Sequence, residues 1–510
     1  MFIPQEIQII ANKLKKENLE VFLVGGCVRD LLLGREPKDW DIATNAKPEE
    51  IQKIFPDSVY ENKFGTVAVK VVDPGSKSGM TKGGDVVEIT TYRKEGKYTD
   101  KRHPDEIKFA KTIEEDLARR DFTVNAMALP SSVILSRAKR SEESNTRSFV
   151  GTQDDVVVDP FDGQKDLKEK IIRTVGKPEE RFNEDALRLM RAVRLAAELG
   201  FKIEEKTAAA IKKHAGLLEM VAKERIRDEL TKLIMAGAAA NGVQLLTDLG
   251  LMKFIIPELL EGIGIGQNKH HIYTVFEHNL RALDYSVRKN YSLIVRLASL
   301  LHDVGKPRTK RGEGYNSTFY NHEVVGGRMA LKILDRLRFS KEIIEKASHL
   351  VHCHLFYYNV GDVSEAGVRR FLRKVGPENV EDVLRVREAD RIGSGVPKAF
   401  PYKLRHLLFM IEKVKKDPIN AKMLKVKGDD VMKIAKLGQE PKVGKILAVL
   451  LEDVLDDPAK NVKKYLESRI KELNELPEKK LGEMVKKARE RKEEFESGVE
   501  SEIKQKFYVK

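Results

Sequence analysis

Two aspartates one residue apart, Asp39 and Asp41, follow closely on a glycine pair, Gly25-Gly26, and the combination suggests metal-assisted chemistry on a phosphate. In an extended segment side chains alternate faces, so Asp39 and Asp41 emerge on one side while Trp40 and Ile42 point into the core. Two carboxylates side by side repel unless cations sit between them. Hard oxygen ligands of this kind suit Mg²⁺, which prefers one or two carboxylates plus substrate phosphates to a closed protein cage. Upstream, the apolar run 21–24 suits a buried strand, and Gly25-Gly26 permits a tight turn close to a ligand. Residues 28–33 read as a helix aiming free N–H groups at a phosphate. Either half alone is an ordinary turn or a strand edge with solvated aspartates; in this order they point to phosphoryl or nucleotidyl transfer.

A second group lies on residues 183–194, read as one helix with Asn183 as its N-cap and acids in the first turn, where the helix dipole favours them. Ala186, Met190, Val193 and Ala197 line its packing face. Asp185 and Arg188, three apart, are neighbours on the helix surface, which by itself is a routine ion pair. The same pair has the chemistry to read a base edge. Cytosine and adenine present an amino donor beside a bare ring nitrogen, so a carboxylate accepts from the first while a guanidinium donates to the second. Uracil and guanine would meet that pair acceptor to acceptor and donor to donor.

A third group is built around His302-Asp303, at the end of an apolar helix over 293–304 that Gly305 and Pro307 stop. His278, His322, His352, His354 and Asp390 occur at intervals around it. Isolated histidines are usually structural, but imidazole nitrogen with carboxylate also suits a transition metal that activates water. The other reading of this region is a helical spacer.

The elements that must position these groups change character along the chain. Residues 1 to about 130 alternate short strands and helices, with strands expected at 21–24, 39–43, 66–72, 86–90 and near 107–109. The Gly/Pro/Ser-rich stretch 73–84 marks an exposed hairpin loop, and 131–148 a surface excursion. In 86–90 the alternation puts Glu88 opposite Val87 and Ile89, either as a third acid near the aspartate pair or as an ordinary exposed glutamate. From about Asp166 onward the pattern is helical, with Gly200, Gly250, Gly305, Gly361 and Gly376 placed as helix C-caps and turns. The tail 479–510 is lysine-rich, either an RNA-contacting surface or a solvated helix.

At 510 residues the chain exceeds one ordinary core, and its composition, 41% hydrophobic and 34% charged, is that of a soluble globular protein. No apolar run is long enough to cross a bilayer and the first residues lack a secretory signal, so a cytoplasmic protein without a membrane partner is expected. Two cysteines, Cys27 and Cys353, are far apart and outside any Cys-x-x-Cys pair; both are expected to be reduced. A net charge of +14 fits a polyanionic partner, nucleic acid before membrane, and equally a lysine- and glutamate-rich solvated surface.

Taken together, Gly25-Gly26-x-x-Arg29-Asp30, Asp39-x-Asp41, Arg119-Arg-Asp-Phe-Thr-Val-Asn-Ala126 and Glu184-Asp185-x-x-Arg188 resemble the class II tRNA nucleotidyltransferases, or CCA-adding enzymes, relatives of bacterial poly(A) polymerases. The resemblance covers roughly the first 250 residues. It implies that Asp39 and Asp41 hold catalytic Mg²⁺, that Gly25, Gly26 and Arg29 contact the triphosphate, and that Arg119, Asp121 and Asn125 help build the nucleotide pocket. Asp185 and Arg188 become the protein template for CTP and ATP, with tRNA as the acceptor. Residues 92–102 correspond to the family's flexible loop, linked to the switch from C to A addition. The His302-Asp303 doublet resembles the HD superfamily of metal-dependent phosphohydrolases, which implies His278, His302, Asp303 and His322 as ligands of a second divalent metal, with His352 or His354 and Asp390 as further candidates. The implied fold is α+β: a polymerase-beta-like mixed-sheet nucleotidyltransferase head (1–165), then all-α parts, a neck (166–260), an HD domain (261–400) and a tRNA-binding tail (401–510). The rival expectations are a poly(A) polymerase, and an HD phosphohydrolase whose front half only binds RNA.

Overall fold

In the computed structural model the apolar run Val21–Val24 forms strand β1, with Leu23 fully buried. The described residues are 3–60, 65–70, 86–96, 107–134, 157–267, 272–356, 358, 363–395, 402–414 and 421–486. They fall into two compact units, residues 1–257 and 258–510.

The first unit is built on a six-stranded mixed sheet. Its strands are β1, β2 (Asp41–Thr44), β3 (Val59–Tyr60), β4 (Thr66–Lys70), β5 (Val86–Thr91) and, after a separate two-stranded ribbon of β6 (Arg93–Glu95) and β7 (Ile107–Phe109), β8 (Ala128–Pro130). The order across the sheet is β3-β4-β5-β2-β1-β8. Only the β2–β5 pairing is parallel in this sheet; it puts Ile42 beside Ile89 and Asp41 beside Glu88. Ile42, Val67 and Ile89 are fully buried on one face, and on the other Ala43 and Ala68 are buried while Glu88 is exposed.

Two expectations change here. β2 begins at Asp41, because its partner β1 ends at Val24 where the chain turns away; Asp39 lies in the exposed bend before it, and Trp40 is half-buried rather than part of the core. The strand expected near 107–109 forms, paired with β6 in the ribbon.

Helix α1 (Gln5–Lys16) buries Ile7, Ile10 and Leu14; α2 (Gly26–Leu32) starts two residues earlier than its periodicity suggested; and α3 (Ile113–Ala118) precedes the arginine-rich turn. The helix expected over 183–194 is two helices, α4 (Pro178–Glu184) and α5 (Arg188–Leu199), because Asp185 adopts an extended backbone (φ −139°, ψ 108°). The Asp185 carboxylate then accepts from the Leu187 amide at 3.0 Å, which caps the entry to α5. Ala186, Met190, Val193 and Ala197 are buried as their spacing required. α6 (Lys223–Met235) packs across α5.

The second unit is helical. α7 (Val275–Arg288) opens with a capping box in which Thr274 and Glu277 bond each other's amides at 3.3 and 2.9 Å. α8 (Leu293–Leu301) is capped by Ser292 and is buried along most of its length. α9 (His322–Arg336) packs on α10 (Lys341–Cys353), and α11 (Val380–Gly393) packs on α7 and α8. Gly200, Gly250 and Gly376 have φ of 72°, 76° and 81°, a region that favours glycine. Gly305 does not: a Cβ there would stand 2.4 Å from the His322 carbonyl oxygen and 2.6 Å from the Gly326 amide, so it is glycine for close approach. That approach seats the turn after α8 directly on α9. Residues 61–64, 73–84, 97–102, 135–148 and 487–510, and with them Gly361 and most of the expected flexible loop and tail, lie outside the described residues. Among the described residues no helix is long and apolar enough to cross a membrane, and Cys27 and Cys353 are buried and form no disulfide.

Candidate functional site

In the first unit the chain leaves β1 at Gly25 with φ +78°, and a Cβ there would lie 2.7 Å from Arg120 Nη1 and 3.2 Å from Asp41 Oδ2. Glycine is required both for its backbone and for this space. It lets a guanidinium and a carboxylate close over the turn. Burial raises the pKa of Asp41, Arg120 pulls it down and Asp39 adds to the rise. Like charge beside a half-buried carboxylate calls for a cation, and Asp39, exposed, leaves the position open to solvent. Glu88 is in register with Asp41 on the adjoining strand and exposed, so the structure brings this third acid to the same edge.

Around this edge the arginine-rich turn sorts its members differently from their order in the sequence. Arg119 Nε donates to Asp116 Oδ1 at 2.9 Å, while Arg120 Nη2 reaches Asp116 Oδ2 at 3.3 Å and extends toward Asp41. Sequence reading picked Arg119 and missed Arg120; two adjacent arginines offer no local signal for which one turns inward. Gly26 faces the Arg29 guanidinium, whose Nη1 donates to Asn125 Oδ1 at 2.7 Å and which also pairs with Asp30. Asn125 Nδ2 in turn donates to Asp121 Oδ1 at 3.3 Å, and Arg191 Nη2 stands 2.8 Å from Asp121 Oδ2. Burial alone would raise the Asp121 carboxyl, but Arg191 and Arg188 outweigh it and hold it below the usual carboxylate range.

Asp185 and Arg188 do not pair. Arg225, on α6, donates to both Asp185 oxygens at 3.1 and 2.8 Å. Arg188 pairs with Glu184 and donates to the carbonyls of Arg181 and Arg119, each at 3.3 Å. The helix break at Asp185 removes the three-residue spacing that would have joined them. Arg225 and Arg191 were not found from the sequence because each partner is far along the chain from the acid it serves.

In the second unit the spaced histidines converge. His278 Nε2 lies 2.8 Å from His302 Nε2, 3.1 Å from Asp303 Oδ2 and 3.3 Å from Asp390 Oδ1. His322 and His354 approach the other oxygen, Asp303 Oδ1, at 3.3 and 3.7 Å. All six side chains are buried, and they form two donor sets that share Asp303. His354 joins the cluster and His352 does not, among the described residues.

The tautomers follow from the backbone. Nδ1 of His302, His322 and His354 lies 2.7–2.8 Å from the carbonyls of Ser299, Phe319 and Val351, each three residues upstream. A carbonyl only accepts, so the proton sits on Nδ1 and Nε2 turns its lone pair to the centre, the orientation a metal ligand needs. Neither oxygen of buried Asp303 has a hydrogen bond of acceptable geometry, although imidazoles surround it and Lys306 Nζ stands 2.6 Å away. Nitrogens and carboxylate oxygens that converge this closely, with both Asp303 oxygens left without a hydrogen bond, form a donor set that suits a cation. Burial by itself would favour a neutral His302, yet the Asp303 and Asp390 carboxylates push its pKa up to about 10. Burial, with His302 and His322 nearby, holds His354 well below the usual histidine range. The cluster therefore draws positive charge toward its Asp390 end, as a proton or as a metal that displaces it. Lys306, also bonded to Gln267 Oε1 at 2.6 Å, is a buried member that sequence reading missed.

Comparison with known proteins finds three matching family models along the chain. Residues 21–173 match the poly A polymerase head domain, 200–262 the probable RNA and SrmB-binding site of polymerase A, and 275–394 the HD domain. The CCA-adding enzyme of Lactococcus lactis subsp. cremoris (strain MG1363) is 43% identical over 257 residues, 50% of this chain and 56% of that protein. That of Geobacillus stearothermophilus is 40% identical over 254 residues, 49% and 54% of the two chains. The match thus spans about half the length of these curated relatives. The crystal structure of the Bacillus stearothermophilus CCA-adding enzyme in complex with CTP aligns with a TM-score of 0.66 and 28% identity, covering 93% of this chain and 98% of that one. Matches to a poly A polymerase head domain, an RNA-binding segment and an HD domain thus follow one another along this chain, whose first half is similar to CCA-adding enzymes.

Proposed function

We propose that the first unit is a CCA-adding tRNA nucleotidyltransferase, extending or repairing the 3′ end of tRNA with CTP and ATP. The observation that carries this reading is the edge where Gly25, Asp41 and Arg120 meet, beside the exposed Asp39. Asp39 and Asp41 would hold Mg²⁺, which when bound lowers the pKa of the attacking hydroxyl and offsets the triphosphate charge. The chain's own part is placement. Gly25 and Gly26 leave room for the triphosphate, and Arg29, held by Asn125, supplies a guanidinium to it. The tRNA 3′-oxygen bonds to the α-phosphorus as the bond to the β-phosphate breaks, and pyrophosphate leaves. Asp185 accepts from the amino group of cytosine or adenine and Arg188 donates to the ring nitrogen; Arg225 holds Asp185 in place for this. Arg119, Asp121 and Asn125 frame that pocket, Arg119 through its carbonyl bond to Arg188. A tRNA substrate sets the work in the cytoplasm, and the +14 charge serves it. Incubation with tRNA lacking its CCA end and each NTP tests this: C then A addition that stops after three nucleotides is expected, and long A tracts would make the chain a poly(A) polymerase instead.

The buried histidine–aspartate cluster favours a second activity, hydrolysis of a phosphate ester. His278, His302, Asp303 and Asp390 would hold one divalent transition metal, and Asp303, His322 and His354 another. Such a metal supplies an activated water when bound. The three backbone-fixed imidazoles hold their lone pairs toward it, and Lys306 steadies Asp303 at Oδ2. Phosphate release from a model ester by the metal-loaded protein, lost in Asp303→Ala, is the expected result.

A further inference from the structure

Asp390 faces two ways. Its Oδ1 looks toward His278 and His302, while its Oδ2 takes Arg387 Nη1 at 2.6 Å, and the Arg387 guanidinium lies 5.7 Å over the Phe356 ring. The next residue on α11, Arg391, stands one turn beyond Arg387, where like charges are neighbours and repel. Lys306 and Arg387 each have a carboxylate at 2.6 Å. Arg391 has none: among the described residues it makes no ion pair or hydrogen bond, and its Nε is buried without a partner. Asp390 attracts its charge while Arg387 repels it, and a half-buried guanidinium with no directly bonded anion is costly, a cost that a bound anion would offset.

We propose that Arg391, backed by Arg387, is the docking point for the phosphate of a doubly charged phosphomonoester at the HD cluster, an inference that rests on the hydrolase reading above. The carboxylates facing the cluster are Asp303, Asp390 and, 3.6 Å from His322 Nδ1, Glu323. Divalent cations in both donor sets, with Lys306, Arg387 and Arg391, leave this group with excess positive charge, which a dianion matches better than a singly charged diester. The fork of Arg391 takes two non-reacting oxygens. Water's oxygen bonds to phosphorus, the ester P–O bond breaks, and the alcohol leaves with a proton from that water, freeing inorganic phosphate.

The test uses the full chain loaded with Mn²⁺, with p-nitrophenyl phosphate, bis(p-nitrophenyl) phosphate and inorganic phosphate as probes. Arg391→Gln is expected to keep its bound Mn²⁺, to raise KM for the monoester about tenfold or more and to weaken inhibition by phosphate equally, the loss of one charge-assisted contact. The diester should change far less, and Arg391→Lys should recover part of the loss. Equal losses for both esters, unchanged phosphate inhibition, or loss of Mn²⁺ from Arg391→Gln would each overturn the proposal. If the wild type hydrolyses neither ester, the hydrolase reading fails by itself. Calorimetric titration of phosphate then decides the docking claim: weaker binding by Arg391→Gln than by wild type upholds it, and equal binding overturns it.

Discussion

The two acidic centres of this chain are built on opposite plans. At the sheet edge of the first unit, Asp39 is exposed in a bend and Asp41 starts a strand, with a glycine and an arginine where other ligands would stand. In the second unit, six candidate ligands sit buried on helices and the turns that end them, and three imidazoles are locked by carbonyls of their own backbone. An open pair of carboxylates suits a cation that arrives with substrate phosphates, whereas a closed imidazole and carboxylate shell suits one that stays. The difference teaches how one polypeptide would keep the two proposed metal chemistries apart, by exposure and ligand type.

The largest expected effects test that separation. Asp41→Ala should lower nucleotide incorporation by roughly a thousandfold or more, since a metal ligand contributes several kcal/mol to the transition state. Phosphate release at the HD cluster should survive. Asp303→Ala should do the reverse, abolishing ester hydrolysis and bound transition metal, measured by elemental analysis, while incorporation continues. A variant at either site that silences both activities breaks the comparison.

Metal removal sharpens it. Brief chelation followed by Mg²⁺ should restore incorporation at once, while ester hydrolysis should recover only after slow reloading with a transition metal. Equal recovery of both with Mg²⁺ alone would show that burial does not distinguish the two centres.

Smaller effects concern the proposed base reader. Arg225→Ala removes both guanidinium donors from Asp185 and leaves only the Leu187 amide, so discrimination of CTP and ATP against UTP and GTP should fall by about tenfold, the scale of a lost charge-assisted bond. Misincorporation assays with each single NTP read this, and unchanged selectivity would leave Arg225 a purely structural partner.

The smallest effect is on acid stability. Asp121 ionises more readily in the folded state than in the unfolded chain, whose value is about 3.9. Its stabilisation is therefore complete above that pH and is lost as pH falls through the lower folded value. Wild type should lose stability below about pH 4 more steeply than Asp121→Asn, as followed by thermal melts across pH; parallel curves would remove Asp121 from the account.

Much of both centres was legible in the residues alone. Glycines before an aspartate pair, a histidine–aspartate doublet ending an apolar helix, and the buried stripe of Ala186, Met190, Val193 and Ala197 are local patterns, and alternation or helical spacing turns each into a placement. Partner choice was not legible. Asp185 belongs to Arg225, 40 residues away, Arg120 rather than Arg119 closes on Asp41, and His354 rather than His352 enters the cluster. Gly305 is glycine because another helix's backbone lies against it, not because its own φ requires it. Periodicity along a chain determines which face a side chain takes, because backbone geometry repeats over a few residues. Which charge meets which is decided only when distant segments pack, since sequence separation carries no information about distance once the chain has folded.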